Sequence, residues 1–207
     1  MFAEKNPLVS ANPLEFWFDF ASTYSYVAAM QIETLCAQRG VPLQWKPFLL
    51  GPIFALQGWN DSPFNLSKLR GAYMWRDLER LTAKHGLPWR KPSVFPRNST
   101  LAARVACATA NEPWSGALIS RIFVANFGED ADIADAELID RCAREAGGGS
   151  ECVAKALAPE RRGWLRRNTS QAIALGIFGA PNCVVGGELF WGEEALEDAL
   201  AWAEREP

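Results

Sequence analysis

Apolar and polar positions change rhythm several times along the chain, and each change marks an element. Leu14-Glu15-Phe16-Trp17-Phe18-Asp19-Phe20 is an almost unbroken apolar run, short enough to predict a buried strand. Thr23 to Arg39 predicts a helix ended by Gly40, a residue that readily closes a helix in the left-handed conformation. Val41 to Leu50 alternates at its start and predicts a second strand. Strand, helix and strand in this order form a βαβ unit, with parallel strands and a right-handed crossover.

The middle of the chain reads as helix. Gly51 to Gly58 predicts a short helix, Trp59 to Asn65 a loop, Ser67 to Lys84 a long amphipathic helix, and Pro88 to Pro96 a Pro-interrupted connection. Asn98 to Thr109, Pro113 to Phe127, Asp135 to Ala146 and, beyond a Gly147-Gly148-Gly149 break, Glu151 to Ala156 predict further helices. Strand character returns late. A helix over Arg161 to Leu175 leads to Cys183-Val184-Val185 and Glu188-Leu189-Phe190-Trp191, which flank Gly186-Gly187 as a hairpin. A last helix spans Glu193 to Arg205. The fold class is α/β: a thioredoxin-like core, β-α-β … α-β-β-α, with a large all-helical insertion. The sheet is unfinished when the middle helices begin, so the chain reads as one unit, with core at about 14–50 and 160–207 and insertion at about 51–159.

Composition narrows the class. Hydrophobic residues make 49% and charged residues 22%, ordinary for a soluble domain with a full core. A net charge of −3 argues against nucleic acid as a partner, because such binders carry a basic surface. No apolar run approaches the ~20 residues of a membrane span, and Met1 to Pro13 lacks the apolar core of a secretory signal. A cytoplasmic location is expected. Cys36, Cys107, Cys142, Cys152 and Cys183 are odd in number with no CxxC spacing, which suits reduced thiols rather than a disulfide framework. His85 is the only histidine. It stands before Gly86 at a predicted helix end, and neither a Cys/His zinc cluster nor a GxSxG elbow accompanies it.

Three segments carry candidate chemistry. Ser22, between the first strand and its helix, suits an ordinary N-cap, and equally an anion cradle at the positive end of the helix. Phe178-Gly179-Ala180-Pro181 precedes a strand; the proline marks an edge or turn, or a cis Ala180-Pro181 bond that presents the Ala180 backbone to a peptide-like ligand. Glu193 and Glu194, at the start of the last helix, complement its dipole or receive an ammonium group.

Taken in order and spacing, these segments resemble the 2-hydroxychromene-2-carboxylate isomerases of the DsbA-like thioredoxin superfamily, and the related kappa-class glutathione transferases. The resemblance runs through almost all of the chain after Pro13. It rests on Phe18-Asp19-Phe20-Ala21-Ser22-Thr23-Tyr24-Ser25-Tyr26, Lys46-Pro47-Phe48-Leu49-Leu50-Gly51, Arg70 to Asp77, Phe95-Pro96-Arg97-Asn98-Ser99, Gly179-Ala180-Pro181 and Phe190-Trp191-Gly192. It implies glutathione as cofactor and a small aromatic substrate, with Ser22 contacting the glutathione sulfur. Ala180 and Pro181 would hold the cysteinyl portion, Glu193 and Glu194 the γ-glutamyl end, and Asn60 and Arg70 the groove, while Arg97 and Asn98 would neighbour the second substrate. Related proteins are commonly dimers, so a homodimer is expected. Three positions depart from the family pattern: Thr23 for proline, Glu194 for aspartate and Ala195 for arginine.

The implied reaction interconverts 2-hydroxychromene-2-carboxylate and trans-o-hydroxybenzylidenepyruvate, in aromatic-compound degradation. A kappa-type transferase and a non-catalytic thioredoxin-like binding protein are the alternatives. A thiol–disulfide oxidoreductase is disfavoured, because the turn holds serine where such an enzyme carries cysteine.

Overall fold

The computed structural model describes residues 12–205, so the reading of Met1 to Pro13 as leaderless falls largely outside the described residues. A mixed sheet holds β1 (Leu14–Phe18), β2 (Leu43–Pro47), β3 (Asn182–Val185) and β4 (Glu188–Trp191) in the order β2-β1-β3-β4. β1 runs parallel to β2 and antiparallel to β3, and β3 is antiparallel to β4. Phe16 therefore stands between Trp45 and Cys183 at the centre of the sheet.

β1 is covered on both faces, which explains its near-continuous apolar run. Phe16 and Phe18 face one side, in a cluster with Tyr26, Ile32 and Phe123. Trp17 faces the other, with Phe48, Ile53, Ala172, Ile177 and Val184. Each fully buried side chain of this size adds roughly 1.5–3 kcal/mol.

The helices follow the predicted sequence of elements: α1 (Thr23–Arg39), α2 (Leu50–Leu56), α3 (Pro63–Leu66), α4 (Lys68–His85), α5 (Thr100–Ala108), α6 (Ser115–Phe127), α7 (Ala136–Glu145), α8 (Cys152–Leu157), α9 (Trp164–Ala174) and α10 (Leu196–Ala203). Ala102 and Val105 of α5 and Leu118, Ile122 and Phe123 of α6 enter the same cluster as Phe16 and Phe18, so one core runs through sheet and inserted helices. α1 and α4 end as expected, on Gly40 (φ 67°) and Gly86 (φ 65°), with His85 in the last turn of α4. Gly186 (φ 58°) and Gly187 (φ 87°) both take the left-handed conformation that a two-residue hairpin requires.

Boundaries differ in instructive places. β1 stops at Phe18 because Asp19 turns its carboxylate to backbone N–H groups of neighbouring loops. Within the segment expected as a loop from Trp59 to Asn65, α3 begins, with Ser62 capping it and Pro63 at its first position. The last helix starts at Leu196, not Glu193. Glu193 and Glu194 therefore lie in the turn before α10, and the acids of its first turn are Glu197 and Asp198. Among the described residues no helix is long and apolar enough to cross a membrane.

Candidate active site

The turn after β1 builds a polar corner from four consecutive residues. Ser22 N–H donates to the Asp19 carbonyl at 2.9 Å, which closes the turn. Ser22 itself is extended (φ −86°, ψ 121°), and its Oγ accepts the Ser25 N–H at 3.2 Å as the N-cap of α1. The same hydroxyl donates to the Ala180 carbonyl at 3.1 Å, across 158 residues of sequence. Ala180-Pro181 is a cis bond. Ser22 thus caps the helix, and the same hydroxyl meets the Pro181 loop.

Asp19 fixes this corner from below. Its Oδ1 accepts the Ala21 N–H at 2.9 Å and the Ser99 hydroxyl at 2.6 Å, and its Oδ2 accepts the Leu50 N–H at 2.8 Å. One carboxylate therefore ties together the β1–α1 turn, the start of α2 and the start of α5. Burial pushes its carboxyl above the usual range, and the three hydrogen bonds oppose that rise without cancelling it.

Above the corner opens a cavity of about 1130 Å³, walled by the α1 start, α2, α3, α4, the Phe95 to Thr100 segment and the loops flanking β3 and β4. Ser22, Asn60, Arg70, Ala180, Pro181, Glu193 and Glu194 all line it. Arg97 lines it too, but its two terminal nitrogens are committed. Nη1 donates to Asn126 Oδ1 at 2.9 Å and to the Asn126 carbonyl at 3.2 Å, while Nη2 is held by Ser93 and by the Asp130 carbonyl and carboxylate. Arg97 is a buried clamp between two loops, not a cation free for a substrate. Asn98 is exposed and off the cavity wall, where its Oδ1 accepts the Thr100 N–H at 3.0 Å. Its neighbours Ser99 and Thr100 take the place on the wall.

One rim is acidic. Tyr24 donates its hydroxyl to Asp77 Oδ2 at 3.1 Å, and burial, then the Asp77 charge, push its ionisation upward. Burial raises the Glu193 carboxyl as well, reinforced by Glu194 and Asp77 and opposed by Lys84. The Glu194 carboxylate lies over Gly192 (φ 104°), where a Cβ would stand 2.7 Å from its Oε2. Thr23, at the position the family usually gives to proline, donates its hydroxyl to the Met74 sulfur at 3.2 Å and so ties α1 to α4.

The other rim is aromatic. Phe178 and Trp191 pack with ring centroids 4.9 Å apart, and both are about half exposed beside the Pro181 loop. Phe54 and Trp59 form a second such pair at 5.6 Å. No cysteine lines the cavity among the described residues. The five thiols are free, with Cys36 and Cys107 pushed up to about 12, chiefly by burial.

The family model for a DSBA-like thioredoxin domain matches residues 13–201. The chain belongs to that family. It is 27% identical over 188 residues to a 2-hydroxychromene-2-carboxylate isomerase of Sphingobium xenophagum, covering 89% of this chain and 94% of that one. A stretch of 83 residues is 31% identical to glutathione S-transferase kappa 1 of Caenorhabditis elegans, covering 40% of this chain and 36% of that one. Among solved structures, a 2-hydroxychromene-2-carboxylate isomerase superposes with a TM-score of 0.80 at 23% identity, covering 91% of this chain and 94% of that one. The thioredoxin-like fold with a helical insertion is thereby established, and curated relatives that cover nearly nine-tenths of this chain are named isomerases.

Asp19, Ser99, Tyr24, Asp77 and Trp191 also line the cavity, although the motifs that contain them assign them no role. Asp19 did carry a signal, a lone carboxylate inside an aromatic strand. Tyr24 and Asp77 carried none, because their bond joins two helices 53 residues apart.

Proposed function

We propose that this member of the DSBA-like family is a glutathione-dependent isomerase, turning a carbon–carbon double bond conjugated to a ketone by reversible thiolate addition. The observation that carries the reading is the Ser22 hydroxyl at the α1 N-terminus, 3.1 Å from the Ala180 carbonyl, at the floor of a cavity large enough for a tripeptide and an aromatic substrate together. The pair interconverted is the one its relatives are named for, 2-hydroxychromene-2-carboxylate and trans-o-hydroxybenzylidenepyruvate, in aromatic-compound degradation.

Opening of the hemiketal, in which the ring C–O bond breaks as the C2 hydroxyl loses its proton and the phenol oxygen gains one, exposes the conjugated ketone. Glutathione, held at Ser22, would supply a thiolate that adds reversibly to the conjugated double bond and so lets it turn as a single bond, with no redox equivalent consumed. A free thiol has a pKa of about 8.5 and is mostly protonated at neutral pH. The Ser22 O–H and the end of the α1 dipole lower that value and enlarge the reactive fraction. Ser22 acts as hydrogen-bond donor and not as nucleophile. Ala180 and Pro181 seat the cysteinyl backbone, Glu193 and Glu194 take the γ-glutamyl ammonium, and Asn60 and Arg70 line the groove. The five free thiols suit a reducing cytoplasm, and the exposed Leu66, Leu69 and Tyr73 suit a homodimer contact.

The kappa-type transferase is the second reading, favoured by the partial match to that class. Calorimetric titration with glutathione, followed by assay of the chromene substrate and an aryl halide with and without glutathione, tests both. Glutathione-dependent turnover of the chromene is expected; conjugation of the halide alone selects the transferase. Absence of glutathione binding removes both.

A further inference from the structure

The loop from Phe178 to Pro181, which leads into β3, has every one of its carbonyls held, each from a different part of the chain. Gln57 Nε2 donates to the Phe178 carbonyl at 3.0 Å from the end of α2, and Asn182 Nδ2 donates to the Gly179 carbonyl at 2.7 Å from the start of β3. The Ser22 hydroxyl holds the Ala180 carbonyl, and the Gly192 N–H, just beyond β4, holds that of Pro181 at 3.1 Å. These donors are not equivalent. Gln57 is exposed, so water competes for its bond. Ser22 is also required at the sulfur by the proposed reaction. Asn182 is fully buried, and its backbone is fixed in the sheet opposite Trp17 on one side and Trp191 on the other.

Asn182 carries a mark that core packing does not explain. Its Oδ1 has no hydrogen-bond partner, although the side chain has no exposed surface. Turning the amide over would set that oxygen against the Gly179 carbonyl, acceptor against acceptor, so the bond to Gly179 dictates the orientation. A buried amide with one end unpaired costs stability that an apolar side chain of similar size does not. The donor end is therefore the reason for an amide at this position.

The Gly179 carbonyl and the Ala180 N–H belong to one planar trans peptide, in which they point in opposite directions. Ala180 lines the cavity and Asn182 does not, so a carbonyl drawn back to Asn182 aims the Ala180 N–H out toward the cavity. That N–H has no partner among the described residues. With the Ala180 carbonyl it forms the donor and acceptor that an antiparallel backbone pairs with. Gly179 is confined from its other side too, since a Cβ there would stand 2.9 Å from Trp191 Nε1.

We infer that Asn182 is a positioning residue: by locking the Gly179 carbonyl it keeps the Ala180 backbone presented to the cysteinyl portion of glutathione while the Ser22 hydroxyl serves the sulfur. The role rests on the glutathione reading above. Asn182 touches neither the tripeptide nor the substrate and acts only through the peptide it holds.

The test uses Asn182→Leu, which removes the donor and the unpaired oxygen together, and S-methylglutathione as the probe, so that no sulfur ionisation enters. Its Kd by calorimetry should rise at least fivefold over that of the parent. In the free protein, the NMR order parameter of the Ala180 N–H should fall by about 0.1 or more, with those of Cys183, Val184 and Val185 unchanged. A smaller change in either quantity overturns the inference. So does equal loosening of β3, which would make Asn182 an ordinary core residue. Should Asn182→Leu fail to fold, Asn182→Ala undergoes the same two measurements, and failure of both to fold also overturns it. If the parent itself does not bind S-methylglutathione, the proposed function fails, and this inference with it.

Discussion

Asp19 and Ser99, eighty residues apart in sequence, share a buried hydrogen bond of 2.6 Å that joins the end of β1 to the start of α5. Two backbone N–H groups complete the shell of Asp19, so the floor of the cavity depends on one carboxyl group. Asp19→Asn sets an amide NH2 against at least one of these donors. A loss of about 1–3 kcal/mol in urea unfolding is expected, the usual consequence of a buried group left unpaired. Isomerase turnover should fall as well, because the turn that presents Ser22 loosens. A variant as stable as the parent would show that the carboxylate does not organise this corner.

Ser22 separates donation from capping. Ser22→Ala should leave the fold intact, cost about 1 kcal/mol for the lost cap, and lower turnover roughly ten- to a hundredfold for the lost bond to a charged sulfur. The bound thiol should titrate higher, as followed by thiolate absorbance. Ser22→Cys should place a thiol of lowered pKa at the helix end, one that exchanges with glutathione disulfide to give a mixed disulfide visible by mass spectrometry. Unchanged turnover and titration in the alanine variant would remove Ser22 from the chemistry.

The Arg97–Asp130 clamp predicts a pH signature. The Ser93 N–H first, then the Arg97 guanidinium, pull the Asp130 carboxyl from 3.8 down to about 2. Its folded value lies below its unfolded value, so the stability it lends is complete above about pH 4 and lost as pH falls toward 2. The stability difference between the parent and Asp130→Asn should therefore be widest near neutrality and shrink across that window. A difference that stays constant down to pH 2 contradicts the assignment.

Gly192 is held at φ 104° directly beneath the Glu194 carboxylate. Gly192→Ala should cost roughly 1–3 kcal/mol of folding stability for the strained backbone, and displace that carboxylate. Glutathione affinity measured by calorimetry should weaken in Gly192→Ala, and equally in Glu194→Gln, which keeps the backbone unstrained. Weakening in the glycine variant alone would assign the effect to the loop and not to the charge.

The strands, the hairpin and the Ser22 turn were legible in the sequence because each rests on local pattern: an apolar run, paired glycines, a hydroxyl before a helix. Arg97 does reach the cavity wall, but its commitment to Asn126 and Asp130 is not legible in the sequence, because those partners lie 29 and 33 residues away. Asn98 misses the wall by a single residue; its side chain serves the start of α5 while Ser99 and Thr100 line the cavity. Glu193 and Glu194 were assigned to a first helical turn because acids favour that place, yet the positive φ of Gly192 delays the helix to Leu196. The cis Phe95-Pro96 bond had no counterpart in the reading, whereas the cis Ala180-Pro181 bond did.

At rest, the Ser22 proton already has an acceptor in the Ala180 carbonyl. Under the proposed mechanism an incoming thiolate must draw that O–H to itself as a hydrogen-bond donor, and the abandoned oxygen then needs a new donor in the same event. A cysteine within a peptide chain brings one on its own main-chain amide, whereas a bare alkyl thiol brings nothing. Discrimination between tripeptide and simple mercaptan is thus written into a contact that is satisfied before either arrives.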